Sequence, residues 1–237
     1  MKLDNAIVLV TGANRGLGAE FARQALARGA RKVYAGARDP DSVKLPGVTP
    51  VRLDVNDPVQ VRDAAARCAD ITLVVNNAGI ATPGSLLDED GIEALRRMMD
   101  TNVYGMLRVS QAFAPVLAAQ GGGAFLNVLS VASWISTPGL AAYAATKSAA
   151  WSVNNGLRIA LKEQGTQVLG LHVGFVDTDL ARGIDLPKLA PAEVVARAYA
   201  ALEEDRSEVL IDELSRNVKR GLSEEPGIYL DVVQRPA

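Results

Sequence analysis

Short runs of β-branched and aliphatic residues recur along the chain, each followed by a longer stretch with apolar positions at helical spacing. The runs Ala6–Val10, Lys32–Ala37, Thr49–Leu53, Ile71–Val75, Ala124–Leu129, Gln167–His172 and Glu208–Ile211 predict strands. Most are continuously apolar rather than alternating, the pattern of a parallel sheet buried on both faces. Between them Leu17–Arg28, Pro58–Ala66, Met98–Ala119, Ala142–Glu163 and Pro191–Glu204 predict helices. Pro191 suits a first helical turn, where its missing N–H costs nothing. Leu180–Ala190, with Gly183 and Pro187, breaks the pattern and reads as a loop or short lid.

Alternation of this kind over the whole length predicts an α/β fold, a Rossmann-like doubly wound parallel sheet of about seven strands flanked by helices on both faces. No repeat or linker divides the chain, so residues 1–237 read as a single domain. Hydrophobic residues make up 49% and charged residues 22%, enough for a large core. Lys and Arg total 25 against 27 for Asp and Glu, which gives no electrostatic footprint for nucleic acid or an anionic membrane. Aromatics at 5% argue against a base-stacking surface. With Cys68 the only cysteine and His172 the only histidine, neither an intrachain disulfide nor a Cys/His zinc site can form, and no carboxylates group at ligand spacing, so no metal is expected. No apolar run approaches the roughly 18 residues of a membrane span, and a cytoplasmic location is expected.

The first strand runs into Thr11-Gly12-Ala13-Asn14-Arg15-Gly16-Leu17-Gly18, and a helix follows at once. Glycines permit a tight turn and close approach of backbone to a pyrophosphate, while the helix start aims free N–H groups at it. Such a turn can also be purely structural. No Gly-Lys-Ser/Thr follows, so this is not a P-loop. The second strand ends Ala35-Gly36-Ala37-Arg38, small then basic, where an acidic residue would read a free ribose 2′-OH. Arg38 with Arg15 suits a 2′-phosphate, which favours NADP(H) over NAD(H). Asp39 offers the alternative of a surface ion pair with Arg38.

Tyr143 and Lys147 stand near the start of the fourth predicted helix, and i,i+4 spacing puts phenol and ammonium on one face. A tyrosine of ordinary pKa about 10 shuttles protons poorly at neutral pH, and a nearby cation favours its phenolate. Ser130 closes the preceding strand, at the sheet edge where ligands bind in such folds. Asn76-Asn77-Ala78-Gly79 ends the fourth strand at the same edge. Each of these features alone has an ordinary structural explanation.

Together and in order they resemble the short-chain dehydrogenase/reductase family in its single-domain form. The resemblance runs from the glycine turn at 11–18 through Asp54 with Val55, residues 76–79, Asn102, Ser130, and Tyr143 with Lys147. It implies that Tyr143 is the general acid or base at a carbonyl or alcohol oxygen. Lys147 would lower the tyrosine pKa and bind the nicotinamide ribose, Ser130 would orient the carbonyl, and Asn102 would hold a water linking Lys147 to solvent. Gly12, Asn14, Arg15, Gly16, Leu17, Gly18 and Arg38 would hold phosphates. Asp54 and Val55 would meet the adenine, and Asn76, Ala78 and Gly79 would line the adenosine side. Where the family usually carries Pro-Gly, Val173-Gly174 stands here; Gly174, Val176 and Thr178 still match and would approach the carboxamide. The family also implies a homodimer or homotetramer and a small-molecule carbonyl or alcohol substrate.

The expected function is therefore an NADP-dependent carbonyl reductase or alcohol dehydrogenase for a small to medium apolar ketone or aldehyde. A dehydratase or epimerase would need a further substrate domain. A non-catalytic NADP(H) sensor on the same fold commonly loses the tyrosine or lysine, and both are present here. Trp134 and Ile135 suit equally a pocket wall and packing within the domain. His172 reads as a hydrogen-bonded core residue, Cys68 as packing, and Lys219 and Arg220 as solvated charges.

Overall fold

The computed structural model, which describes residues 1–183 and 185–231, gathers the apolar runs into one seven-stranded parallel sheet. Its strands are β1 (Ile7–Thr11), β2 (Lys32–Ala37), β3 (Thr49–Arg52), β4 (Leu73–Asn76), β5 (Gly123–Val128), β6 (Thr166–His172) and β7 (Glu208–Leu210). The helices are α1 (Gly16–Ala27), α2 (Pro58–Arg67), α3 (Gly91–Met99), α4 (Met106–Ala119), α5 (Ala141–Ala160), α6 (Pro191–Glu203), α7 (Glu213–Gly221) and α8 (Ile228–Asp231).

Spatial order is β3-β2-β1-β4-β5-β6-β7, so the winding reverses between β1 and β4. At such a reversal the loops leave the strand ends in opposite directions and open a crevice. Both faces of the sheet are covered, which explains the continuous apolar runs. Val8 and Val10 of β1 pack with Phe21 of α1 and Tyr199 of α6, while Ile7 and Leu9 pack on the other side with Val61 of α2 and Phe113 of α4. The Tyr199 hydroxyl donates to the Phe21 carbonyl at 2.9 Å, so even this buried phenol is satisfied. At the start of α2 Pro58 occupies the first turn, and the Asp57 carboxylate accepts from the N–H groups of Val59 and Gln60.

Two expectations are corrected. The predicted helix Met98–Ala119 begins earlier, at Gly91, and is interrupted by a π-helical segment at Asp100–Gly105. A π turn inserts one residue without disturbing the apolar stripes on either side, so spacing alone does not reveal it. Near the C-terminus α7 buries Val218, and Lys219 is not a solvated charge: its ammonium pairs with Glu208 and lies 5.5 Å from the Trp134 ring centre. Arg220 is exposed beside Glu213.

No described helix is long and apolar enough to cross a membrane.

Candidate functional site

The glycine turn is built by backbone geometry and close contact. Gly12 and Gly16 have φ of +67° and +55°, in the left-handed region that favours glycine. Gly18 has no room for a side chain: a Cβ there would lie 2.1 Å from the Gly12 carbonyl oxygen. The first turn of α1 carries no side-chain cap and no acidic residue, so its N–H groups remain available to an anion. Asn14 and Arg15 are exposed beside it, and Leu17 packs partly against the core. Thr11 and Asn77 tie this turn to the end of β4. The Thr11 hydroxyl accepts from the N–H groups of Asn77 and Ala78, both at 3.0 Å, and the Asn77 amide donates to the Thr11 carbonyl at 2.9 Å.

The two arginines differ in their surroundings. Arg15 is paired with Asp179 at 2.9 Å, across the crevice from β1 to the loop after β6. Arg38 is exposed and makes no ion pair among the described residues. Asp39 does not take it; its carboxylate instead caps a turn, accepting from the Asp41 N–H at 3.1 Å. Asp54 accepts from the Asn56 N–H at 2.9 Å, and Val55 is buried with its carbonyl accepting from Arg108 at 2.6 Å.

Asn76 is turned inward. Its amide nitrogen donates to Asn127 at 2.8 Å and to Ser110 at 3.2 Å, and Asn127 in turn donates to Asn154 at 2.8 Å. The side chain expected along the adenosine side thus belongs to a buried polar chain linking β4, β5, α4 and α5. Ala78 and Gly79 remain at the strand exit, half-buried and exposed.

Ser130, Tyr143, Lys147 and Asn102 converge at the ends of β4 and β5. Ser130 follows β5, where Leu129 and Val131 bond to the Leu171 and Val173 carbonyls and keep the chain in register with the β6 side. Tyr143 lies in the first turn of α5, its phenol near enough to the Ser130 hydroxyl to be influenced by it. Lys147, one turn on, is buried; its ammonium donates to the Val128 carbonyl at 2.8 Å and lies 5.7 Å from the Tyr143 ring centre. Asn102, in the π segment, accepts from the Ile80 N–H at 2.8 Å and donates to the Ile80 carbonyl and to Thr146. Thr146 passes the link on, its hydroxyl donating to the Tyr143 carbonyl at 2.7 Å. The π turn, a device concentrated at functional sites, is what brings this asparagine inward.

Burial dominates the electrostatics here. It pushes the Tyr143 phenol up to about 12, against the smaller opposing effect of the Ser130 hydrogen bond. It brings Lys147 down to about 8. The expected lowering of the tyrosine by the lysine does not appear in this structure: loss of solvation raises the phenol and favours neutral Lys147 as well.

Beyond β6 the Gly174 N–H donates to the Asp212 carboxylate at 2.6 Å, so it is not free for a ligand. Val176 pairs with Leu189, which closes the following loop at its base, and the Thr178 hydroxyl donates to the Val176 carbonyl at 3.3 Å. Within that loop Ile184 lies outside the described residues. Trp134 and Ile135 are buried with Val131 and Val218, so packing within the protein takes them. Asn77, Thr146 and Asp212 were not among the expected site residues; only the polarity of Asn77 within its strand-end run hinted at a role.

Comparison with known proteins agrees with this geometry. A short chain dehydrogenase from Burkholderia cenocepacia J2315, solved in complex with NADP, superimposes with a TM-score of 0.93 at 36% identity over the whole of both chains. A short chain dehydrogenase/reductase from Burkholderia phymatum, solved in complex with NAD, gives a TM-score of 0.84 at 25% identity, covering 95% of each chain. Dehydrogenase/reductase SDR family member 7B of Bos taurus is 30% identical over 75% of this chain, a match spanning 60% of that protein's own length. The sequence profile described as short chain dehydrogenase matches residues 6–188. On this match and the sheet that carries it, the chain belongs to the short chain dehydrogenase family.

Proposed function

We propose that the protein is an NADP(H)-dependent oxidoreductase, a carbonyl reductase or alcohol dehydrogenase acting on a small to medium apolar ketone or aldehyde or the matching alcohol. The observation that carries this reading is the convergence of Tyr143 on Ser130, with Lys147 one helical turn on, beside the uncapped start of α1. The chain's own groups fit a dinucleotide: a Cβ at Gly18 would fill the turn, and the N–H groups of Gly16, Leu17 and Gly18 meet no acceptor among the described residues. When bound, the nicotinamide supplies or accepts the hydride.

In reduction Tyr143 gives its phenolic proton to the carbonyl oxygen as the carbon receives hydride, and an alcohol results. Ser130 donates to the same oxygen and holds it beside the phenol. Lys147, charged below about pH 8, stabilises the phenolate left behind. In the reverse direction the phenolate takes the hydroxyl proton. Asn102 holds the α5 start through Thr146 and carries the proposed water link from Lys147 to solvent. Gly12, Asn14, Gly16, Leu17 and Gly18 take the phosphates, Asp54 and Val55 the adenine, Ala78 and Gly79 the adenosine side, and Val176 and Thr178 the carboxamide.

The preference for NADP(H) is supported by exposed Arg38, by Arg15 and by the absence of an acid at Ala37; the Burkholderia cenocepacia relative was solved with NADP. An apolar substrate is supported by Ile80 packed with Tyr143 and by exposed Leu180 and Leu186 on the loop after β6. We assign the protein to the cytoplasm as a single-domain subunit of a homodimer or homotetramer, consistent with Ile159 of α5 standing 76% exposed. The test is nucleotide oxidation over a panel of aldehydes and ketones, NADPH beside NADH, with Tyr143→Phe as control. Turnover with NADPH that collapses in the variant is expected. Tight NADPH binding without turnover of any carbonyl or alcohol would replace this reading with a nucleotide sensor.

A further inference from the structure

His172, the only histidine of the chain, ends β6 and is completely buried, yet the proposed chemistry makes no direct use of it. Its Nδ1 lies 3.0 Å from the carbonyl oxygen of Ser130. A carbonyl only accepts, so Nδ1 carries the proton and the tautomer is fixed. Among the described residues Nε2 has no hydrogen-bond partner; Glu208 Oε1 stands 3.4 Å away, and the other carboxylate oxygen is held by Lys219. The imidazole face stacks on Trp134, ring centres 4.1 Å apart and planes within 17°, and Trp151 meets Trp134 edge-on. The ring is thus clamped on one face and fastened at one nitrogen. Burial, together with the nearby charges of Lys219 and Lys147, keeps it neutral.

What this clamp holds is the backbone of Ser130. The same carbonyl also accepts from the Ser133 N–H at 3.0 Å, while the serine hydroxyl accepts from the Ala132 N–H at 3.1 Å. Rotation of the Ser130 peptide would swing the hydroxyl away from Tyr143, and both donors on its carbonyl resist that rotation. We infer that His172 is a positioning residue for hydride transfer: its Nδ1–H bond to the Ser130 carbonyl fixes the serine so that its hydroxyl faces Tyr143, an inference that rests on the roles given to Ser130 and Tyr143 above. Misplacement of a reacting group by about 1 Å can cost on the order of a hundredfold in rate. Loss of one of two restraints is therefore expected to lower kcat about tenfold.

The variants are His172→Leu, which removes the donor, and His172→Asn, whose amide nitrogen can occupy the Nδ1 place. His172→Leu should lose about tenfold in kcat with KM for NADPH within about twofold, and His172→Asn should recover most of that loss. In a Ser130→Ala background His172→Leu should cost nothing further, because the histidine acts through the serine. An unchanged kcat in His172→Leu, or a loss that Asn does not rescue and that adds fully to Ser130→Ala, overturns the positioning role. A readout independent of turnover comes from long-range 1H–15N spectra of the intact protein, where a lone histidine gives a single imidazole spin system. They should show the Nδ1–H tautomer, untitrated from about pH 5.5 to 8.5; an Nε2–H tautomer overturns the inference even if His172→Leu fails to fold. A wild type showing the expected tautomer but no turnover of any carbonyl overturns the reaction assignment, and the positioning role falls with it.

Discussion

A single methyl group at Gly18 separates nucleotide binding from folding. In Gly18→Ala the new Cβ would stand 2.1 Å from the Gly12 carbonyl oxygen and 2.6 Å from the Asn77 amide nitrogen. Carbon and oxygen settle only beyond about 3.3 Å, so the first turn of α1 must retreat from the glycine turn by about 1 Å. The neighbour cannot yield instead, because the Gly12 carbonyl also accepts from Asn77 at 3.3 Å and is fixed there. Overpacking of this kind costs about 1–3 kcal/mol, and the better helix propensity of alanine returns up to about 1. At about 2–4 °C per kcal/mol for a chain of this size, the net loss in Tm stays below about 10 °C. Binding suffers more, because the N–H groups meant for phosphate move with the helix. We expect Kd for NADPH to rise at least about tenfold while the variant stays folded. Fluorescence titration of the nucleotide beside a thermal melt measures both. A Kd within twofold of wild type in a folded variant would refute the assignment of this turn to the phosphates.

Three further outcomes follow from the same geometry. Asn154→Ala leaves the buried Asn127 amide without its acceptor and should lower unfolding free energy by about 1–3 kcal/mol in urea; a change under about 0.5 kcal/mol would mean the buried polar chain contributes little. Arg38→Ala should raise Kd for NADPH about tenfold and leave NADH within twofold, and equal losses with both would remove Arg38 from 2′-phosphate recognition. Because burial holds the Tyr143 phenol protonated up to about 12, alcohol oxidation, which needs the phenolate, should accelerate about tenfold from pH 7 to about 8 and less steeply beyond, where Lys147 loses its charge, whereas reduction uses the protonated form and should not fall for lack of it. An oxidation rate already level at pH 7 contradicts that assignment.

The strands were legible because burial on both faces leaves an uninterrupted apolar run, and β1 shows why: Val8 and Val10 serve one layer, Ile7 and Leu9 the other. Elements with a thin buried stripe were not. In α3 only Gly91, Ala94 and Met98 are buried among charges, and α7 buries Ser215, Val218 and Gly221, a stripe of mostly small residues that hydropathy does not register. In the candidate site, Ser130, Tyr143 and Lys147 were readable from their order and from helical spacing. The partners of those residues were not, since Asn102 to Thr146 or His172 to Ser130 are contacts across more than forty residues of sequence that exist only once strands are paired. Asn76 shows the converse: its place at a strand end was legible, but whether its amide faces the crevice or the interior depends on Asn127 in the neighbouring strand.

Val173 in place of the family's usual proline shows how one local departure is absorbed. A proline fixes φ by its ring, whereas here hydrogen bonds supply the restraint from outside the turn. The Val173 carbonyl accepts from the Val131 N–H at 3.0 Å and from the Ser130 hydroxyl at 3.4 Å, and the next N–H, that of Gly174, is held by Asp212 at 2.6 Å. Asp212 also caps α7 by accepting from the Ser215 N–H, so one carboxylate fixes both the turn and the helix that follows β7. A Cβ at Gly174 would lie 3.1 Å from that carboxylate and 3.3 Å from Leu214, so a side chain there would make both give by a few tenths of an ångström. The floor of the candidate pocket is thereby coupled to α7, and through Lys219, Glu208 and Trp134 to His172 and Ser130. In this chain α7 therefore stands behind the candidate site as well as beside β7 at the edge of the sheet.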